Sequence, residues 1–440
     1  MSTIKRNQLF VASCLSLLVT SLSFGIRAGL LNTWSHEFAL DQKQIAIIIG
    51  TAFWGFPLAI VIGGVVVDII GMKKLLFGAF IFHALGIFLT ITASGFWPLF
   101  ISTLLIGMGN GLVEAACNPL VASLYTTNKT TRLNYFHLWF PGGIVIGTLI
   151  VRFFGISIPD TIYLSNWRVL VGLMFIPTAL YGFLFSKLTF PVTERVASGI
   201  STGQMYRSLF KPLFIVMIIL MLGTAITELF TGQWIDVLLK NVTDNAILLL
   251  TLETGVMVLG RGLAKPVVGK LSPQGVLLMS AILASLGLYL LGHSTGNMLF
   301  VGAIVFGMGV CYFWPTMIGF VAENLPETGA VGLNFMGGAG MFAVSVYMFF
   351  MGGFYDKLVA AQLPSGADLA AYNSAPGGSD MANALNNAKA LAGPHIINTT
   401  LVIPLILIAA FALLFVYMRS RNTKPLSVAG TAIANPYDDQ

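Results

Sequence analysis

Hydrophobic residues along this chain come in long, nearly unbroken runs. They show neither the two-residue alternation of a half-buried strand nor the narrow apolar stripe of a soluble helix. Twelve runs stand out, at about 8–36, 44–67, 74–94, 97–124, 133–153, 168–188, 212–238, 245–269, 274–293, 297–322, 329–352 and 395–418. A helix needs about 20 apolar residues to cross a bilayer, and backbone in lipid must satisfy its own hydrogen bonds. The pattern therefore predicts an all-α membrane protein with twelve transmembrane helices. A polar stretch, Leu188–Lys211, divides the runs six and six. The expected organisation is an N-terminal six-helix half in 1–190, a cytoplasmic linker in 191–211 and a C-terminal half in 212–421. Within the latter, residues 355–394 are rich in Ala, Asn, Gly and Ser and are expected to form an irregular outer loop with a short helix at Met381–Leu391. Residues 422–440 read as a disordered tail.

Composition agrees with this picture. Of the 440 residues 56% are hydrophobic and only 9% charged, where soluble domains carry about 25% charged residues. The net charge of +6 would suit an acidic partner, but its distribution argues otherwise. With the N-terminus inside, sixteen of the 23 Lys and Arg fall on the cytoplasmic side, six fall outside, and Arg27 lies within a span. Such asymmetry orients membrane proteins. The expectation is a multi-pass protein of the inner or plasma membrane, monomeric in lipid, with both termini cytoplasmic and no nucleic-acid partner. Lys5-Arg6 and the apolar run behind them resemble a signal peptide, but the run is too long and carries Arg27, so it reads as a retained first helix. Cys14, Cys117 and Cys311 lie in apolar spans without metal-like spacing, and neither a metal site nor a cofactor is expected.

Function should reside in the polar residues that interrupt the oil. Asn110, Glu114 and Asn118 recur every four residues on one helix face. A carboxylate in mid-membrane costs roughly 2.5–3.5 kcal/mol on insertion scales, so Glu114 should face a cavity or a partner. The first span carries Ser13, Ser16, Thr20, Ser23 and Arg27 at spacings of three and four. Its hydroxyls bond their own helix in many membrane proteins, whereas a buried guanidinium needs an anion. Arg27 is expected either to pair with Glu114 or to bind an anionic group of a solute. Glu228 is a second mid-membrane carboxylate, in the other half, with Gln233 and Trp234 beside it. Asn134 and His137 lie just past the first stripe, and His137 reads either as a packing residue or as a proton or solute contact. His83 has apolar neighbours in sequence and reads as packing. Trp139 and Trp314 are aromatics suited to stacking on a solute ring, and Asn334 is a candidate cavity donor. Glu253 is expected toward the outside, and Arg261 at the cytoplasmic end in a structural role.

Between the second and third spans stands Gly64-Val-Val-Val-Asp68-Ile-Ile-Gly71-Met-Lys73-Lys74. It resembles the signature loop of the major facilitator superfamily, with a weaker echo from Gly260-Arg261 to Gly269-Lys270 in the second half. The resemblance implies the major facilitator fold, two six-helix halves about an axis normal to the membrane, and gives Asp68 a gating role. Glu114-Ala-Ala-Cys-Asn118-Pro119 and Arg132-Leu133-Asn134 further resemble segments of the fucose–galactose–glucose:proton symporter family. That likeness implies that Glu114 takes part in proton coupling and solute binding, with Asn118 a neighbouring contact. Family members carry an aspartate on the first helix where this chain has Ala28 beside Arg27.

The expectation is a secondary active transporter and not an enzyme: a proton-coupled symporter of a sugar or sugar-like solute working by alternating access. Two alternatives remain open, an organic-anion carrier using Arg27 and a sodium-coupled sugar transporter with oxygen ligands from Glu114 and Asn118. A receptor or multipass enzyme would need a soluble domain or a catalytic constellation, and the sequence displays neither.

Overall fold

The long apolar runs become helices, and where they break is as informative as where they run. The computed structural model describes residues 4–40, 42–156, 167–239, 242–243 and 246–420. In the N-terminal half, four long helices come first: α1 (Arg6–Glu37), α2 (Gln42–Ile70), α3 (Met72–Ile91) and α4 (Phe96–Leu124). They are followed by α5 (Lys129–His137), α6 (Trp139–Ile156), α7 (Trp167–Gly172) and α8 (Phe175–Lys187). Two short helices, α9 (Glu194–Ala197) and α10 (Thr202–Ser208), occupy the expected linker. The C-terminal half begins with α11 (Pro212–Ala225), a π turn at Ile226–Phe230 and α12 (Thr231–Leu239). It continues through α13 (Ala246–Gly262), α14 (Ala264–His293), α15 (Met298–Val310), α16 (Phe313–Asn324) and α17 (Gly329–Ala361). The short α18 (Leu369–Asn373) and the long α19 (Asp380–Ser420) complete it. Among the described residues, eleven helical stretches are long and apolar enough to cross a membrane. The eighth expected run is divided between α13 and the start of α14, which accounts for the difference from twelve.

Two details depart from the sequence reading. Residues 355–394 are helical at both ends: α17 continues to Ala361, and α19 begins at Asp380, absorbing Met381–Leu391. Alanine and leucine at high density favour helix over loop there. The turn that mirrors Gly71 is not at Gly269-Lys270 but at Ser272, just before Pro273. Gly71 has φ 86 and ψ 149, and Ser272 has φ 61 and ψ 160. The two halves thus turn at their basic end through the same backbone conformation. One uses glycine, for which it is ordinary, and the other a serine, for which it is strained.

In lipid, close packing rather than water exclusion holds helices together, and small residues permit it. A Cβ on Gly25 of α1 would lie 2.7 Å from Ile144 O of α6, and one on Gly111 of α4 would lie 2.4 Å from Phe56 O of α2. Such contacts bind each half internally. Between the halves the packing is α2 against α17, α5 against α16, and α6 against α13. At the basic end this interface is sealed. Lys129 Nζ bonds Glu194 at 2.6 Å and Ala322 O at 3.1 Å, and Thr130 N–H donates to Glu323 Oε1 at 2.8 Å. Gly319 lets α16 meet α5 so closely that a Cβ there would fall 2.6 Å from Thr130 Cα.

Candidate functional site

Beyond that seal lies a cavity of about 480 Å³, counting its mouth, between the two halves. The N-terminal half supplies Phe24, Phe53, Phe56, Glu114, His137 and Phe140; the C-terminal half supplies Glu228, Leu229, Gln233, Arg261, Trp314 and Met341. Its walls are therefore aromatic, and its charged groups are few and buried: Glu114 is 2%, Glu228 3% and Arg261 1% exposed.

On the N-terminal side three residues form a triangle. Asn118, one turn beyond Glu114 on α4, donates Nδ2 to Glu114 Oε2 at 3.1 Å. Its Oδ1 thereby faces His137 Nε2 at 3.0 Å. Because an amide oxygen only accepts, His137 Nε2 must carry its hydrogen. The other ring nitrogen, Nδ1, stands 4.0 Å from Glu114 Oε1.

On the C-terminal side Glu228 sits in the π turn at Ile226–Phe230, an irregularity that recurs at functional sites. Its Oε1 accepts from Arg261 Nη2 at 2.8 Å, and its Oε2 accepts from Trp314 N–H at 3.3 Å. Arg261 also donates Nε to Cys311 O at 2.6 Å and Nη1 to His137 O at 2.7 Å, the latter across the two halves. The Trp314 indole N–H is buried and faces the Glu114 carboxyl without closing a hydrogen bond to it.

The sequence profile of the Major Facilitator Superfamily matches residues 13–346. The chain belongs to that superfamily. Its fold resembles solved major facilitators. Against the fucose:proton symporter of E. coli the TM-score is 0.65 at 15% identity, covering 90% of this chain and 98% of that one. Against the proton:xylose symporter XylE it is 0.69 at 13% identity, covering 92% and 96%. Among curated sequences, Myo-inositol transporter 1 of Saccharomyces cerevisiae is 25% identical over 178 residues, 39% of this chain. The aligned part spans 29% of that relative, so the chain matches under a third of its length.

In this major facilitator the residues singled out from sequence part into four groups. Glu114, His137, Glu228, Gln233 and Trp314 line the central cavity, with Asn118 bonded to the first two. Asn134 and Asn334 belong to the contacts between the halves, Asn134 donating to Thr316 Oγ1 at 3.3 Å and Asn334 to Ala115 O at 3.0 Å. Trp139 is 37% exposed and contributes its carbonyl to Ser21, while Trp234 packs on Phe230 and Tyr355 within the C-terminal half. Asp68 lies at the basic end, accepting from Arg195 Nε at 2.6 Å and from Thr193 Oγ1 at 2.5 Å.

Arg27 requires a correction. It does not meet Glu114; among the described residues it makes no hydrogen bond or ion pair, its guanidinium lying 5.0 Å over the Phe24 ring. The reason is depth. α1 and α4 start from opposite ends, so Arg27 lies about 31 Å from the basic end of α1 and Glu114 about 15 Å from that end of α4, at 1.5 Å per residue. The α4 residues at Arg27's level are Thr103 and Ile106, and with them it lines a separate small cavity, as do Trp34 and Thr90.

His83 is a hydrogen-bonded packing residue, buried away from the cavity and bonding Tyr181 Oη at 3.0 Å and Asn110 Oδ1 at 2.9 Å. Asn110 in turn donates to Ser23. The polar stripe on α4 therefore splits, because a step of four residues overshoots one helical turn by about 40°. Arg261 lies deeper than the cytoplasmic end expected for it: it stands eleven positions before the Ser272 turn, about 16 Å from the basic end, and lines the cavity. Glu253, buried on the same helix, has an Oε2 without a partner.

Proposed function

We propose that this major facilitator is a proton-coupled symporter that carries a sugar or sugar-like solute by alternating access. The observation that carries the reading is the gap between Glu114 Oε1 and His137 Nδ1. Asn118 fixes the hydrogen on Nε2, so in the neutral ring Nδ1 presents its lone pair toward the Glu114 carboxyl. Two acceptors repel, and one added proton on either turns the pair into a donor and an acceptor. The site is thus one proton short of closing, beside a cavity that a solute would share. Its aromatic walls suit the faces of a sugar ring, and Gln233 with the unpartnered Trp314 N–H offers hydrogen bonds to hydroxyls. The sugar and cyclitol carriers similar to this chain support the cargo class. The seal at the basic end corresponds to a state closed toward the cytoplasm.

The test is uptake into proteoliposomes over a panel of neutral sugars and cyclitols, with and without an inward pH gradient and in sodium-free buffer. Glu114→Gln is expected to abolish gradient-driven accumulation while leaving counterflow partly intact. Undiminished accumulation in that variant would sink the assignment, and a sodium requirement would replace the proton as coupling ion.

Arg27 favours a second reading, an organic-anion carrier, because it is buried with no acid paired to it among the described residues. Stabilisation of the purified protein against heat by acidic sugars or carboxylates, lost in Arg27→Gln, would move the assignment there. Stabilisation by neutral sugars alone would dismiss it.

A further inference from the structure

Each of the two carbonyls held by Arg261 stands four residues before a proline. A helical carbonyl at i bonds the N–H at i+4; His137 precedes Pro141, Cys311 precedes Pro315, and proline has no N–H to give. Both carbonyls lie at helix breaks, α5/α6 and α15/α16. Both would be orphans in a low-dielectric interior, where an unpaired polar group is costly. One guanidinium serves them both, Nη1 to His137 O at 2.7 Å and Nε to Cys311 O at 2.6 Å. Its remaining nitrogen binds Glu228, whose other oxygen caps Trp314 N–H in the first turn of α16. The ion pair therefore replaces both missing bonds of the α15/α16 break within its own half, and one missing bond of the α5/α6 break in the other half.

We propose that Arg261 is a positioning residue that fastens the two halves at the cavity floor, supplying from the C-terminal half the hydrogen bond that Pro141 denies to His137. Its bonds to Cys311 and Glu228 stay within one half and survive rocking. The bond to His137 O crosses the interface and must break when the basic end opens. Pro141 is the partner's share of the device: any residue with an N–H at that position returns the carbonyl to its own helix. The same His137 carries the ring that faces Glu114, so the fastening also sets where that ring stands.

The inference rests on alternating access, but its test uses no solute, so a wrong cargo leaves it standing and unchanged distances leave the cargo assignment standing. Two spin-label pairs report the ends of the molecule: K74C with K270C at the basic end, and S94C with T295C at the other, all at exposed positions. The native Cys14, Cys117 and Cys311 are buried. In the parent a short basic-end distance is expected to dominate. Arg261→Gln should raise the population with a longer basic-end distance about tenfold, the scale of a lost charge-assisted hydrogen bond, with shortening at the other end. Pro141→Ala should shift both distances the same way by less, and the double variant should go no further than Arg261→Gln alone. Pro315→Ala, which changes a bond inside one half, should move neither. Unchanged distances in Arg261→Gln, additive shifts in the double variant, or an equal shift in Pro315→Ala would overturn the proposal. Should Arg261→Gln not yield monodisperse protein, the contrast of Pro141→Ala with Pro315→Ala decides.

Discussion

At the scale of single residues, the cavity sets one buried pair against one buried triangle. Glu228 and Arg261 neutralise each other at 2.8 Å with almost no exposure. Breaking such a pair from one side strands a charge and costs about 3–5 kcal/mol, whereas removing both charges is close to neutral. Glu228→Gln is therefore expected to lower the melting temperature in detergent markedly, and Glu228→Gln with Arg261→Met to recover most of the loss. A double variant no more stable than the single would show that the two charges do not stabilise each other. Glu114, His137 and Glu228 were legible in the sequence because an ionisable residue inside an apolar run is conspicuous. Arg261 is equally ionisable, but the glycine and basic residues after it imitate a loop, and that imitation hid its depth. Arg27 was conspicuous too. Only counting residues from opposite helix ends shows that it and Glu114 stand at different levels.

At the scale of elements, the cavity is built where helices fail. The breaks at α5/α6 and α15/α16 follow from Pro141 and Pro315, and the bend in the tenth run was readable from its Gly307-Met-Gly309 and Trp314-Pro315. The π turn that carries Glu228 has neither glycine nor proline within it, so nothing local announced it. The repeat of the signature loop was readable as an echo but three residues out of place, since Ser272 replaces the glycine that would have marked it. That substitution has a price in backbone strain, of order 1–3 kcal/mol for a non-glycine residue in this region. Ser272→Gly is expected to stabilise the protein by about 1 kcal/mol, seen as a rise in melting temperature with distances at the basic end unchanged. A fall in melting temperature would mean that the serine side chain matters more than its backbone.

At the scale of the whole molecule, charged side chains join the two halves at the basic end. There Lys129 bridges Glu194 beyond α8 and the Ala322 carbonyl of α16, and Asp68 is tied to Thr193 and Arg195. The sequence announced Asp68 through its motif but not its partners, which come from a linker with no pattern of its own. Thr316 lies under this seal, buried against Asn134. Thr316→Cys should react slowly with a small maleimide, and about tenfold or more faster when combined with Lys129→Ala, because a charge-assisted contact of about 1.5–3 kcal/mol is lost. Equal rates would show that the seal is held by helix packing alone.

The last helix has a use outside transport. α19 is 41 residues long, about 60 Å at 1.5 Å per residue, twice the roughly 30 Å of hydrocarbon it crosses. Its first turns, from Asp380 onward, therefore reach past the lipid as a short mast braced against the C-terminal half, with Leu385, Ala388 and Ala392 buried. A small rigid domain spliced onto that mast would give electron microscopy of this 47.2 kDa chain an alignment landmark. The landmark would also move with the C-terminal half, so each particle image would read the rocking angle that the proposed mechanism requires.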